Sequence, residues 1–280
     1  MSSEGSTAAR TRGNALRTLL RGVEPPIREL WRRDPALFVV VAINTVLFGG
    51  FAAGIVLDPT TVNGEPAWLK PAKFAGSIAL VSATLGWLGV HLPVSEQFRR
   101  RISLIVGSGF MIEIALIGGQ AARGVGSHFN RATALDTAIG AVMGVTIVVV
   151  MCSIAALVVR VRNSAFDVHP AFATGILLGL GLFVVGAFQG GTMIALQSRT
   201  VETVGPTVPF VGWQIVGGFR LAHFVGLHAL QTLPLAGYFA AGGRQSDGIS
   251  CPRRIVVVVA SGYALVFAAT LALGIAPLVV

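Results

Sequence analysis

Residues Leu135–Val159 read LDTAIGAVMGVTIVVVMCSIAALVV, and this stretch decides what kind of molecule the chain makes. The hydrocarbon core of a bilayer is about 30 Å thick, which a helix crosses in about 20 apolar residues. The tract is long enough and carries no charge beyond its second position. Three comparable tracts precede it, Ala36–Leu57, Pro71–Leu92 and Ile102–Ala122, and three follow, Ala171–Gln197, Leu221–Ala241 and Ile255–Val279. The pattern predicts an all-α membrane protein, a bundle of seven transmembrane helices. With 54% hydrophobic residues, 12% charged residues and a mean hydropathy of +0.76, a soluble domain is excluded.

Arginine sets the orientation, because cytoplasmic loops keep an excess of basic residues. The leading tail has Arg10, Arg12, Arg17, Arg21, Arg28, Arg32 and Arg33, and every second connection after it is short and basic: Arg99, Arg100 and Arg101, then Arg160 and Arg162, then Arg244, Arg253 and Arg254. Seven spans put all of these on one side. The N-terminus is then cytoplasmic, the C-terminus extracytoplasmic, and the protein multi-pass in the cell membrane. The net charge of +9 is this topological signal. No aromatic interleaving or groove-reading motif points to nucleic acid.

Two regions follow: residues 1–34, a mobile basic cytoplasmic tail, and residues 35–280, the seven-helix transmembrane domain. A cleaved leader is not expected, since the first apolar tract is too long and lies too far in. The Arg17–Arg33 stretch reads either as a plain orientation tail or, through Leu16, Leu19, Leu20, Val23 and Ile27 between its charges, as a segment lying on the anionic inner leaflet. Cys152 falls within a span and Cys251 on the cytoplasmic side, so no disulfide is expected. Gly140/Gly144 and Gly175/Gly179 have the small-xxx-small spacing that lets helix backbones approach.

Polar residues gather at the extracytoplasmic ends of the spans. The only two lysines, Lys70 and Lys73, open the second span against the orientation rule, and Ser77 and Thr84 continue a polar stripe down from Lys70. The third span holds Glu113, the one acid well inside an apolar tract, and intramembrane carboxylates are functional candidates by default. Gln120 shares its face, and Arg123, Ser127, His128, Asn130 and Arg131 follow in a glycine-loosened loop. The sixth span opens with Arg220, His223, His228 and Gln231 on one arc. His228 and Glu113 fall at similar depths, about 10–15 Å below the surface at ~1.5 Å rise per residue.

These residues lie in three blocks: Trp68-Leu69-Lys70-Pro71-Ala72-Lys73-Phe74; Gln120-Ala121-Ala122-Arg123-Gly124 with Ser127-His128-Phe129-Asn130; and Arg220-Leu221-Ala222-His223-Phe224 with Gly226-Leu227-His228-Ala229-Leu230-Gln231. Together they resemble the signature of a broad, uncharacterised family of bacterial multi-pass integral membrane proteins, over roughly residues 35–240. The resemblance implies a shared membrane fold and no particular activity. Similar proteins tend to have an acid just before the Arg220 block, where this chain has Gly217-Gly218-Phe219. If that acid completes a site, the site is altered here.

The expectation is an outward-opening polar pocket between the second, third and sixth spans. In the leading reading the pocket belongs to a membrane-embedded enzyme acting on a lipid or amphiphilic anion, with Glu113 and His228 as the chemical pair. Lys70, Lys73, Gln120, Arg123, Asn130, Arg220 and Gln231 would bind the substrate, since cations and amides suit phosphate or carboxylate groups. His128, His223, His228 and Glu113 form a candidate ligand set for Zn²⁺ or Fe²⁺, although His223 and His228 are five apart rather than the four of a local clamp. The alternative is a proton-coupled transporter, or a small-molecule or lipid-binding membrane protein without catalysis. A haem is not expected, because His91 and His169 fall at the opposite end.

Overall fold

The computed structural model describes residues 26–196, 198, 200–201, 205–209, 212–242 and 251–278. Arg10, Arg12, Arg17, Arg21 and Arg244 lie outside the described residues. A short helix, α1, covers residues 26–33 and is followed by α2 (Pro35–Leu57), β1 (Thr61–Val62), β2 (Glu65–Pro66), α3 (Leu69–Gly89), α4 (Glu96–Ala122), α5 (Ala134–Val161), α6 (Pro170–Ala195), α7 (Arg220–Ala240) and α8 (Pro252–Ile275). Six of these, α2 to α6 and α8, are long and apolar enough to cross a membrane. α7 is 21 residues long but carries Arg220, His223, His228 and Gln231, and is correspondingly less apolar.

Local sequence explains where the helices start. Asp34 caps α2, accepting from Leu37 N at 3.1 Å, and Pro35 occupies the first turn, where a missing N–H costs nothing. Ser95 caps α4, accepting from Phe98 N, with Glu96 in the first turn. Thr133 caps α5, and His169 caps α6 ahead of Pro170. Between α2 and α3, Asn63 and Gly64 have φ of 53° and 79°, the left-handed pair that turns a two-residue hairpin.

The helices alternate in direction. Leu37, Leu85, Val106, Ile154 and Leu180 meet in the central core, while Val46, Val56, Val145, Val258 and Leu265 point outward and are 65–83% exposed. An apolar exterior around an apolar core, with backbone bonds closed inside helices, suits a lipid surround.

The closest packing is between α6 and α7. A Cβ on Gly175 would meet the Leu233 carbonyl, on Gly179 the Ala229 carbonyl, on Gly186 the Cα of Gly226, and on Gly237 the Ala171 carbonyl. The two backbones are therefore in direct contact along their lengths, which also makes room for the Pro234 ring beside Gly179. Gly175 and Gly179 serve the close approach their spacing predicts. Gly140 and Gly144 do not, since nothing lies within 4 Å of a Cβ at either. Spacing marks a smooth strip on a helix but not which way the strip faces.

Residues 26–33, expected as part of a mobile tail, form a helix docked on the adjacent end of α3. Leu30 is buried against Gly86. Arg33 bonds Glu29 at 2.8 Å and the Trp87 carbonyl at 2.9 Å, lies 4.2 Å above the Trp87 ring, and has His91 Nε2 at 3.4 Å. Asp34 accepts from Ser103 Oγ and pairs with Arg99 at 3.6 Å, and Arg99 also donates to the Arg33 carbonyl. Burial and the neighbouring Arg33 charge hold the His91 imidazole below its ordinary pKa.

Candidate functional site

At the opposite end of the bundle, the start of α3 is set by Trp68. Its indole donates to Asp58 Oδ2 at 2.7 Å, stacks on Phe51 at 5.6 Å and lies against Gly54. Donors from Thr60 and Trp68 hold the Asp58 carboxyl below the usual carboxylate range. Two residues on, Lys70 Nζ reaches His128 Nδ1 at 2.8 Å, and Ser127 Oγ is 3.2 Å from the same nitrogen. An ammonium has only donors, so Nδ1 accepts from Lys70 and, in the neutral ring, the proton sits on Nε2. Phe74 and Phe129 flank the imidazole at 5.7 and 6.1 Å between ring centroids. Phe129 has φ of 62°, a strained value for an aromatic residue and the kind of backbone outlier that clusters at functional sites.

Glu113 lies deeper in α4. It is 5% exposed, and its Oε1 has no hydrogen-bond partner among the described residues. Lys70 and His128 form a contact pair between the start of α3 and the 123–133 loop, and Glu113 lies about two turns below Gln120 in the same α4 that leads into that loop.

Beside this group a second knot is closed on itself. Asp136, 2% exposed, accepts from Gln120 Nε2 and Arg123 Nη1, each at 2.9 Å, and from Thr133 Oγ1 at 2.7 Å. Gln120 also donates to the Gly126 carbonyl at 3.3 Å and accepts from Arg123. Asn130 spends its side-chain oxygen on Ala132 N at 3.0 Å. Of these three, expected as substrate-binding residues, Gln120 and Arg123 tie α4 to α5 and Asn130 closes the end of the loop between them. Lys73 is exposed.

The α7 residues are held elsewhere. His223 Nδ1 bonds the Gly186 carbonyl at 2.8 Å and its ring fills the space left by Gly190. His228 Nδ1 bonds the Phe224 carbonyl one turn back at 2.8 Å, with its ring 3.9 Å from the Phe224 ring. Arg220 lies 5.7 Å from the Trp213 ring, and Gln231 donates to Thr84 Oγ1 at 3.2 Å, linking α7 to α3. No hydrogen bond, ion pair or ring contact joins either histidine to Glu113 among the described residues. Nor is any group of three or more His, Cys, Asp or Glu residues gathered for a metal among them, so the set His128, His223, His228 and Glu113 does not come together here.

At position 218 the loop is built around glycine, since a Cβ there would run into the Gln214 carbonyl. An acid at this position does not fit the present fold.

Asp58 and Asp136 are not among the residues that the sequence alone singles out. Thr133-x-x-Asp136 matches a capping-box spacing, a signal that could have flagged the second knot. Comparison of the chain with family models, with curated proteins and with solved structures finds no match. What can be said of function therefore rests on the class the fold defines, a multi-pass α-helical protein with apolar helices suited to a bilayer, and on the residues just described.

Proposed function

We propose that the protein couples proton exchange at Glu113 to the movement of a solute across the membrane, with Lys70 and His128 carrying the proton between the buried carboxylate and the aqueous face. The observation that carries this reading is Glu113 itself, buried within α4 and with a carboxylate oxygen unbonded among the described residues. A buried acid that can gain and lose a proton, with an ammonium and an imidazole above it, is the hardware of proton coupling. The enzyme reading asks Glu113 and His228 to share a chamber and asks Gln120, Arg123 and Asn130 to hold a substrate. No contact joins His228 to Glu113 among the described residues, His228 Nδ1 bonds the Phe224 carbonyl, and Gln120, Arg123 and Asn130 bond within the α4–α5 connection.

The reading includes seven crossings, with the N-terminus cytoplasmic and the site outside, and membership of the bacterial family that the three blocks resemble. Supporting the seventh crossing, α7 is about 31 Å long at ~1.5 Å per residue and lies backbone to backbone along α6. Supporting the orientation, the described arginines of the tail and of the basic connections cluster at the α1 end.

The test uses full-length protein in sealed vesicles with the pH stepped on one side. The infrared carboxyl band that Glu113→Gln removes should respond to the step in the wild type, and dye-reported proton flux should fall at least tenfold in the variant. A band indifferent to external pH, or equal flux in both proteins, overturns the proposal.

A further inference from the structure

We infer that α1 is a docking element for anionic lipid headgroups on the leaflet at its own end of the bundle. Leu30 and Arg33 fix one side of this helix to α3. The other side carries two adjacent stripes at i, i+4 spacing. Ile27 and Trp31 are 47% and 52% exposed, and Arg28 and Arg32, each one residue further on, are exposed beside them.

Continuity identifies what covers these stripes. Trp31 lies edge-on to Phe38 at 5.3 Å, and Val39 and Ile43 extend the apolar strip along the outside of α2. That strip belongs to a helix long and apolar enough to span a bilayer. Trp31 therefore continues the lipid-facing surface round the bend at Asp34 and sits where amphipathic rings favour the membrane–water boundary. An arginine one residue away from each apolar side chain then lies at headgroup level, with its stem along the apolar surface and its charge among the phosphates.

Charge complementarity decides which headgroup. Around this end the described residues include ten arginines, at 28, 32, 33, 99, 100, 101, 160, 162, 253 and 254, against four acids, Glu29, Asp34, Glu96 and Asp167. Two of those acids are bonded to Arg33 and Arg99. The excess is positive and borne on exposed side chains, so anionic rather than zwitterionic lipid is the partner.

The inference stands apart from proton exchange at Glu113, and its test does not read transport. Full-length protein is placed in nanodiscs of phosphatidylcholine alone or with a third phosphatidylglycerol, and amide exchange is followed over residues 26–33. A basic residue near an anionic surface strengthens binding about fivefold, so Arg28 and Arg32 together should slow exchange roughly tenfold to thirtyfold in the anionic discs. The gain should vanish in the Arg28→Gln, Arg32→Gln double variant and shrink at high salt. Because Leu30 and Arg33 are untouched, the variant should keep its protection in neutral discs. Equal protection in both lipids, or a lipid effect that survives in the double variant, overturns the inference.

Discussion

Adding one methyl group at Gly186 tests the arrangement of α6 against α7. A Cβ there would lie 2.7 Å from the carbonyl carbon of Gly226 and 3.1 Å from Leu227 N, whereas carbon atoms in contact sit about 3.5–4.0 Å apart. The Cα of Gly226 lies nearer still, so the helices must separate locally by about 1 Å. The obstructing atoms are backbone, so no side-chain rotation relieves the clash, and overpacking costs about 1–3 kcal/mol. Separation also strains the His223 bond to the Gly186 carbonyl. We expect Gly186→Ala to fall at the upper end of that range. Gly144→Ala is the control, because nothing lies within 4 Å of a Cβ there. Both variants gain the same helix propensity, about 1 kcal/mol, so their difference isolates packing. At about 2–4 °C per kcal/mol, Gly186→Ala should unfold roughly 4–12 °C below Gly144→Ala when thermal denaturation of the detergent-solubilised protein is followed by tryptophan fluorescence. Melting of Gly186→Ala level with or above Gly144→Ala would refute the backbone contact and, with it, the placement of α7 along α6.

Asp136→Ala, which strands the Gln120, Thr133 and Arg123 donors around it, should lower the denaturation midpoint more than Arg123→Ala, whose side chain is 41% exposed; equal denaturation midpoints for the two would contradict the knot. His91 gives a pH dependence of stability. Its imidazole, held below its ordinary pKa by burial and by Arg33, stays neutral in the folded chain at pH values where the unfolded chain, with a pKa of about 6.5, takes up a proton. Stability present above about pH 6.5 is therefore lost as the pH falls, and His91→Gln should flatten the thermal-stability profile between about pH 7.5 and 5.5. A profile as steep as that of the wild type would rule His91 out as the source.

Most of the fold was legible because lipid imposes a coarse rule. A helix must be long and apolar, and six tracts say so without ambiguity; α7 passes on length but is diluted by the same polar residues that drew attention to it. The site was less legible because hydropathy carries no information on which helices are neighbours. Lys70, Glu113 and the loop with His128 could be assigned to one end of the bundle from sequence, and of these Lys70 and His128 are in contact. His223 and His228 could be assigned to the same end and a similar depth, yet they turn toward Gly186 and Phe224. Equal depth fixes one coordinate and leaves the rotation of each helix open. Gly140/Gly144 failed for the same reason, since a helix can present a smooth strip to lipid as readily as to a partner.

The two ends of the bundle differ in how completely their charges are matched, and the difference bears on which end works. At the α1 end Glu29, Arg33, Asp34 and Arg99 bond one another, and the short-chain donors around them, Ser103 and Leu37 N, are taken up as well. Such an arrangement resists rearrangement, because moving any member exposes another. At the far end Asp58 and Asp136 are equally well satisfied, yet Glu113, buried within α4, keeps one oxygen unbonded among the described residues. Leaving a buried polar atom unmatched costs about 1–3 kcal/mol, as much as a good hydrogen bond contributes, and replacing Glu113 by leucine would avoid that cost entirely. A fold that fastens its buried aspartates, Asp34 and Asp136, so thoroughly holds Glu113 short of a full set of partners. That imbalance is what a group needs if it is to exchange a proton rather than anchor a helix.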